Sequence, residues 1–279
     1  MEILKIEGLC KRYPAFALKN VSFSMEAGTV MGFIGRNGAG KTTTLKSMLR
    51  LVHPDAGRVT ICGMDIAEQE LAVKEQLGFV TGTAAYYPRK RLGQLTAATR
   101  RFYPGWDEGR YQDCLRRFAL DERKRVSELS EGMKVKYQLA LAMSHHARLL
   151  ILDEPTSGLD PAARDDLLGL FLELVERDGV SVLFSTHITS DLDACADTIT
   201  YIRNGEILAS EPRRAFTGRY RYLRCDEAAL APELSKKLIA PRRHQGEIEG
   251  LLRAADAPDA GAPATLEQIM VHLEREVEA

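Results

Sequence analysis

No apolar run in this sequence approaches the roughly 18 residues that a membrane-spanning helix needs; stretches such as Leu149 to Leu152 are far shorter. Any work at a membrane therefore requires a partner. Met1 to Tyr13 alternates apolar and charged residues, with no basic region leading into an apolar run, so no secretory signal is expected. Cysteine is scarce: five residues, at positions 10, 62, 114, 195 and 225, form no C-x-x-C pair. That odd, scattered set argues against a disulfide framework and reads as reduced thiols in a cytosolic protein. A basic excess is also missing, with 38 Lys and Arg against 39 Asp and Glu and a net charge of −1, so a dedicated nucleic-acid binder is not expected, although local patches remain open. Internal repeats and low-complexity tracts are absent. With 45% hydrophobic residues, 22 Gly and 11 Pro in 279 residues, the composition is ordinary globular protein, sized for one large domain or one domain and an appendage.

Alternation of strands and helices is what the sequence does contain. Ile3, Leu4 and Ile6, then Leu18, Val21, Phe23 and Met25, predict two short strands. Thr29 to Ile34 predicts a buried strand that stops at Gly35, with a helix over Lys41 to Leu51. Further strands are expected at Arg58 to Cys62 and Leu77 to Thr81, with a helix at Ala67 to Gln76 between them. Residues 92 to 147 read as helical, broken at Pro104-Gly105 and around Ser127 to Gly132. Alternation then resumes: a strand at Leu149 to Leu152, a helix from Pro161 with Asp160 as N-cap, and strands at Val180 to Ser185, Thr198 to Ile202 and, past an Asn204-Gly205 turn, Glu206 to Ala209. A mostly parallel sheet covered by helices follows. Beyond about residue 212 the texture changes to an arginine-rich stretch, a strand at Tyr220 to Cys225, an Ala/Pro-rich segment and an amphipathic helix at Thr265 to Glu276.

Gly35-Arg36-Asn37-Gly38-Ala39-Gly40-Lys41-Thr42 fits G-x-x-x-x-G-K-[ST] between an apolar strand and a helix. Its glycines let backbone N–H groups surround a phosphate, and the helix N-terminus adds positive potential. Lys41 is expected to reach the β and γ phosphates, and the Thr42 hydroxyl to ligate Mg²⁺. Asp153 and Glu154 end a buried strand, where open parallel sheets put their ligands. Asp153 suits Mg²⁺ binding through its water shell; Glu154 suits acceptance of a proton from a water attacking the γ-phosphate.

The ordered series of phosphate loop, Leu129-Ser130-Glu131-Gly132-Met133, acidic pair, Ser157-Gly158-Leu159-Asp160 and Thr186-His187 resembles an ABC-type ATPase over residues 2 to about 210. Residues 129 to 133 are similar to the LSKGM form of bacterial exporters of the bacitracin-resistance and sodium-extrusion kind. The resemblance implies an α/β P-loop fold, a RecA-like core with a small antiparallel β subdomain and an inserted helical subdomain. On that reading residues 1–211 form the ATPase domain, with the helical subdomain at about 85–147, and residues 212–279 an accessory domain. It further implies ATP held by Asn37, Gly38, Ala39, Gly40, Lys41, Thr42, Thr43 and Asp153, with Mg²⁺ on Thr42 and Asp153. Glu154 and His187 act in catalysis, and Ser130 and Gly132 face the γ-phosphate on a second nucleotide-binding subunit, in a homodimer or heterodimer. Tyr13 falls where the family stacks an aromatic ring on adenine, the other reading being a strand-end ring packed on the sheet. A polytopic permease is the implied partner, at the cytoplasmic face of the cell membrane, and no nucleic acid is expected.

One departure stands out. The family commonly places a Mg²⁺-touching glutamine where this sequence has Gly82, leaving three possibilities open: a water replaces it, Thr81 or Thr83 moves in, or coupling weakens. The neighbouring Tyr86-Tyr87-Pro88-Arg89-Lys90-Arg91 is either a solvated loop or, by its position, part of the groove that receives the permease. Arg213, Arg214, Arg219, Arg221 and Arg224 read as a solvated face, with phospholipid, nucleic acid or acidic partners as the other options. His145 and His146 read as structural. A soluble ABC-type ATPase acting on a macromolecular complex is the second functional reading, although a second cassette, long coiled coil or zinc module is missing. A regulatory GTPase would need an N-K-x-D segment, which is also missing.

Overall fold

Tyr13 and Phe16 face each other across a tight turn that closes a long antiparallel hairpin, β1 (Glu2–Tyr13) and β2 (Phe16–Glu26). Both strands outrun the short ones expected. Register shifts near Gly8, at φ 63°, and Leu9 change which side chains face inward, so the apolar alternation breaks while the ladder continues. The protein is described from a computed structural model, covering residues 1–81 and 87–276. The expectations that rest on Gly82, Thr83 and Tyr86 lie outside the described residues.

After the hairpin come β3 (Val30–Ile34), α1 (Lys41–Met48), β4 (Ala56–Ile61), β5 (Met64–Asp65), α2 (Glu70–Glu75) and β6 (Leu77–Thr81). Three helices follow, α3 (Leu92–Thr99), α4 (Glu108–Arg117) and α5 (Glu131–Ser144). The core then closes with β7 (Leu149–Asp153), α6 (Pro161–Asp178), β8 (Ser181–Thr186), α7 (Thr189–Cys195), β9 (Thr198–Arg203) and β10 (Glu206–Pro212). Strands β2-β1-β4-β5 form a four-stranded antiparallel sheet, and β10-β9-β3-β8-β7-β6 a six-stranded one whose β9-β3-β8-β7-β6 members run parallel. Every residue of β3 and β8 is buried, as a parallel sheet covered on both faces demands. Leu4, Ile6, Phe23, Phe33, Leu45 and Ile151 share one apolar cluster, which binds the antiparallel sheet and α1 to the parallel one.

Chain order and register decide what the sheet carries at its carboxyl edge. Thr81, Asp153 and Ser185 lie level on three neighbouring strands, and Thr186 lies level with Ile34, just before the glycine loop. Helix α6 begins as expected, with Pro161 in its first turn and the Asp160 side chain accepting from Ala163 N at 2.9 Å. Helix α5 lies close to β6 at Gly78, where an added Cβ would come within 2.5 Å of Ala142 Cβ. The helical block is tied by hydroxyls: Thr96 Oγ1 lies 2.7 Å from Tyr111 OH and 2.9 Å from Tyr137 OH. His145 and His146 take structural contacts, the first stacked on Tyr103 at 3.8 Å and bonded to the Glu75 carbonyl, the second beside Arg110.

The described chain divides into two compact units, Met1–His187 with Ala194–Ser210, and Ile188–Asp193 with Glu211–Ala279. The second holds α8 (Arg213–Gly218), β11 (Tyr220–Asp226), α9 (Pro232–Ser235), β12 (Ile239–His244), β13 (Glu247–Arg253), β14 (Ala262–Pro263) and α10 (Leu266–Arg275). Its sheet runs β12-β13-β11-β14, with α10 packed on β12 and β13 through Leu266, Ile269, Met270 and Leu273. Thr265 and Gln268 close a capping box at the start of α10. Of the arginines expected to form a solvated face, Arg214, Arg219 and Arg224 are exposed, and most of the set also find partners within this unit. Arg213 pairs with Asp193, Arg219 with Glu211 and Arg224 with Glu247, while Arg221 donates to the Ala260 and Gly261 carbonyls at 2.8 and 2.7 Å.

Candidate functional site

Gly38 and Gly40 sit at φ 83° and 115°, backbone that side chains resist, and they turn the chain from β3 straight into α1. A Cβ on Gly40 would press within 2.8 Å of both Phe16 Cζ and Leu18 Cδ2, so glycine is required there on two grounds. Because Gly40 offers no side-chain cap, the first amides of α1 keep their donors for a ligand, where the helix end is most positive. A pocket of about 360 Å³ opens on this turn, lined by Phe16, Arg36, Asn37, Gly38, Gly40, Lys41, Thr42, Thr43 and Glu154. Ala39, in the same loop, is buried.

Lys41 is only 5% exposed, yet its ammonium is well supplied: Nζ donates to the Gly35 carbonyl at 2.7 Å and lies 3.1 Å from Glu154 Oε1. A buried ammonium needs such partners, because burying an unpaired charge costs several kcal/mol. On the far side Thr42 Oγ1 donates to Asp153 Oδ1 at 3.2 Å, and the same carboxylate oxygen accepts from Ser185 Oγ at 2.7 Å. Two hydroxyls therefore hold one oxygen of Asp153 in place.

Glu154 is the strained member. Its φ of 49° is left-handed, a conformation costing about 1–3 kcal/mol for a non-glycine residue unless the surroundings enforce it. Here they do: its N–H donates to Ser185 Oγ at 3.0 Å, and its carbonyl accepts from Ser157 N at 3.2 Å. The carboxylate spans Lys41 on one oxygen and His187 Nδ1, at 2.8 Å, on the other. A carboxylate only accepts, so Nδ1 carries the proton in that bond, which makes Nε2 an acceptor whenever the ring is neutral.

Five of the expected residues thus meet in one place, Lys41, Thr42, Asp153, Glu154 and His187, with Asn37, Gly38 and Thr43 lining the same pocket. Tyr13 does not line it. That ring is 44% exposed at the far side of the hairpin turn, with Lys11 Nζ 5.9 Å above it, and Phe16 is the aromatic side chain that reaches the pocket. Ser130 is exposed and caps α5, accepting from Met133 N at 3.3 Å; Gly132 lies against Leu159 and Ala163.

Three contributors were not foreseen. Phe16 carries no signal beyond its apolar character; the hairpin alone brings it to the glycine turn. Ser185 is one serine in a buried strand, and its place beside Asp153 follows from strand register. Gln138, 6% exposed on α5, clamps Thr81 with its whole amide: Oε1 accepts from Thr81 N and Nε2 donates to Thr81 O, each at 3.1 Å. A glutamine set among the apolar residues of one helix was its only trace in the sequence.

Known proteins share this sequence pattern and this fold. The ABC transporter family pattern matches residues 18–157. The ABC transporter ATP-binding protein YtrB of Bacillus subtilis is 30% identical over 190 residues, which are 68% of this chain and 65% of that protein. The bacitracin transport ATP-binding protein BcrA of Bacillus licheniformis is 28% identical over 75% of this chain and 70% of its own length. A solved ATP-binding subunit of an ABC transporter superposes with a TM-score of 0.68 at 29% identity, covering 76% of this chain and 91% of its own. Half of this sequence follows the family pattern and its strand-end acids meet the glycine turn in space, so the chain belongs to the ABC transporter family of ATP-binding, ATP-hydrolysing cassettes.

Proposed function

We propose that this cassette energises a membrane exporter, working as one of a pair of nucleotide-binding subunits against a polytopic permease at the cytoplasmic face of the membrane. The observation that carries the reading is the Lys41, Thr42, Asp153, Glu154 and His187 cluster, five groups of complementary chemistry converging on one glycine turn. No helix among the described residues is long and apolar enough to cross a membrane, which fits a subunit that reaches one through a partner. The exporter direction rests on the likeness of residues 129 to 133 to the LSKGM form, and on similarity to a protein named for bacitracin transport.

In this reading the amides of Asn37 to Thr43 and the Lys41 ammonium hold the triphosphate, and Phe16 flanks the base. Thr42 Oγ1 and Asp153 Oδ1, 3.2 Å apart, are hard oxygen donors of the kind Mg²⁺ takes, so the residues fit that ion. Bound there, it would neutralise charge on the β and γ phosphates. Arrival of the γ-phosphate at Lys41 competes with Glu154 for the ammonium and releases that carboxylate to take a proton from the attacking water. His187 holds the second oxygen of Glu154 through Nδ1–H, and its Nε2, an acceptor in the neutral ring, takes a hydrogen bond from the attacking water and helps to orient it.

Ser130 and Gly132 complete the site on a second subunit in this proposal, since each chain carries one copy of either half. ATP then closes the pair and hydrolysis opens it. Light scattering tests this: Glu154→Gln is expected to double in mass with Mg²⁺ and ATP, and Lys41→Ala to stay monomeric. A Glu154→Gln protein that stays monomeric with saturating ATP would overturn the paired reading. Co-purification with RNA or a soluble complex, in place of a polytopic membrane protein, would favour the non-transport alternative.

A further inference from the structure

One hydroxyl, 0% exposed, joins the two acids at the end of β7 from the next strand. Asp153 and Ser185 are partners in the parallel β7–β8 register, which puts their side chains on the same side of the sheet. A serine hydroxyl has one hydrogen to give and lone pairs to receive with. Ser185 gives its hydrogen to Asp153 Oδ1 at 2.7 Å and receives the N–H of Glu154 at 3.0 Å. Both halves of the hydroxyl are thus committed to the acidic pair.

We propose that Ser185 is the positioning residue for hydrolysis, one buried hydroxyl that sets both the carboxylate meant for the metal and the backbone that aims the base. The proposal rests on the functional reading above. The Ser185 bond fixes Asp153 Oδ1 on the side where Thr42 Oγ1 approaches it, 3.2 Å away. The bond to Glu154 N anchors that residue in its left-handed conformation at φ 49°, with its carboxylate between Lys41 and His187. Loss of the hydroxyl lets the Asp153 carboxylate rotate and leaves the Glu154 amide without its acceptor. Metal requirement and turnover should therefore change together, while metal-independent grip on the phosphates, which belongs to Lys41 and the loop amides, should not.

The same strand supplies a control. Ser181 is equally buried, and its hydroxyl accepts from Gly28 N at 2.9 Å at the opposite end of β8. The experiment titrates Mg²⁺ against binding of a fluorescent methylanthraniloyl-ATP to the full chain, alongside ATP turnover, in wild type, Ser185→Ala and Ser181→Ala. Ser185→Ala is expected to raise the Mg²⁺ concentration for half-maximal binding, and to lower kcat, by about 10-fold or more each, in line with loss of a hydrogen bond to a charged group. Binding of the probe in excess chelator should match wild type, and Ser181→Ala should leave all three quantities unchanged. Ser185→Cys fills the same space with a weak donor and should move both quantities the same way, so the result does not hang on one variant folding.

Equal behaviour of Ser185→Ala and Ser181→Ala would overturn the proposal. So would a turnover loss with an unaltered Mg²⁺ requirement, or a loss of chelator-resistant binding as large as the metal effect. Wild type that binds no methylanthraniloyl-ATP at all would instead sink the ATPase reading on which the proposal stands.

Discussion

Lys41 Nζ stands 3.1 Å from Glu154 Oε1, so the cation expected to grip phosphate and the carboxylate expected to activate water neutralise each other across the pocket. The pair reconciles two demands. A lysine 5% exposed needs compensation, and a catalytic carboxylate beside a phosphate site would otherwise repel the incoming anion. In the proposed mechanism phosphate would replace a carboxylate at Lys41, exchanging one charge-assisted contact for another and releasing Glu154 when substrate is present.

Phe16, and not Tyr13, is the ring in the pocket. Phe16→Ala is expected to weaken ATP binding by about 1–3 kcal/mol, the usual cost of removing an aromatic partner from a base. Isothermal titration with ATP reads the loss directly, and Tyr13→Ala is expected to have the smaller effect. A large loss in Tyr13→Ala with none in Phe16→Ala would return the base to Tyr13.

Gln138 satisfies both main-chain groups of Thr81 at the end of β6. Gln138→Leu keeps the volume but strands an N–H and a carbonyl, at a cost of about 1–3 kcal/mol. Urea unfolding should show a lowered midpoint with the slope unchanged, and ATP turnover should fall as α5 loosens from the strand beside Asp153. Wild-type values of both would mean that water serves Thr81 equally well.

His145 is 7% exposed, and burial pulls its pKa below the ordinary value of 6.5. Its folded form is neutral where the unfolded form takes a proton, so stability rises with pH between the folded and unfolded pKa values and is lost as pH falls below about 6.5. His145→Phe keeps a ring to stack on Tyr103 and cannot titrate. The variant should lose less stability than wild type between pH 7.5 and 5.5, measured by urea midpoints. Parallel curves for the two proteins would assign the acid sensitivity elsewhere.

Where chemistry demands a particular residue within a contiguous run, the sequence is readable. Gly38, Gly40, Lys41 and Thr42 share one turn, and Asp153 and Glu154 are adjacent, so their spacing is visible before folding. Asp160 was legible as a cap because a cap acts over three residues of its own helix. Phe16, Gln138 and Ser185 were not legible, since each reaches the site through another strand or helix. The length of β1 and β2 was hidden by a bulge that inverts the side-chain alternation. The arginines after residue 212 read as a solvated face, and Arg219 and Arg224 are exposed; what the sequence did not show is their carboxylate partners, such as Glu247 beside Arg224, which come from other elements of that unit.

By itself, the sequence determined the alternating α/β order, the glycine turn that can wrap a phosphate, and an acidic pair at a strand end, because backbone conformation and residue identity are local properties. Only the tertiary structure decided which aromatic ring enters the pocket, that a serine from the adjoining strand bridges both acids, and that a glutamine on α5 clamps Thr81. Those pairings depend on strand register and helix approach, which arise when separated segments bury their apolar faces against one another.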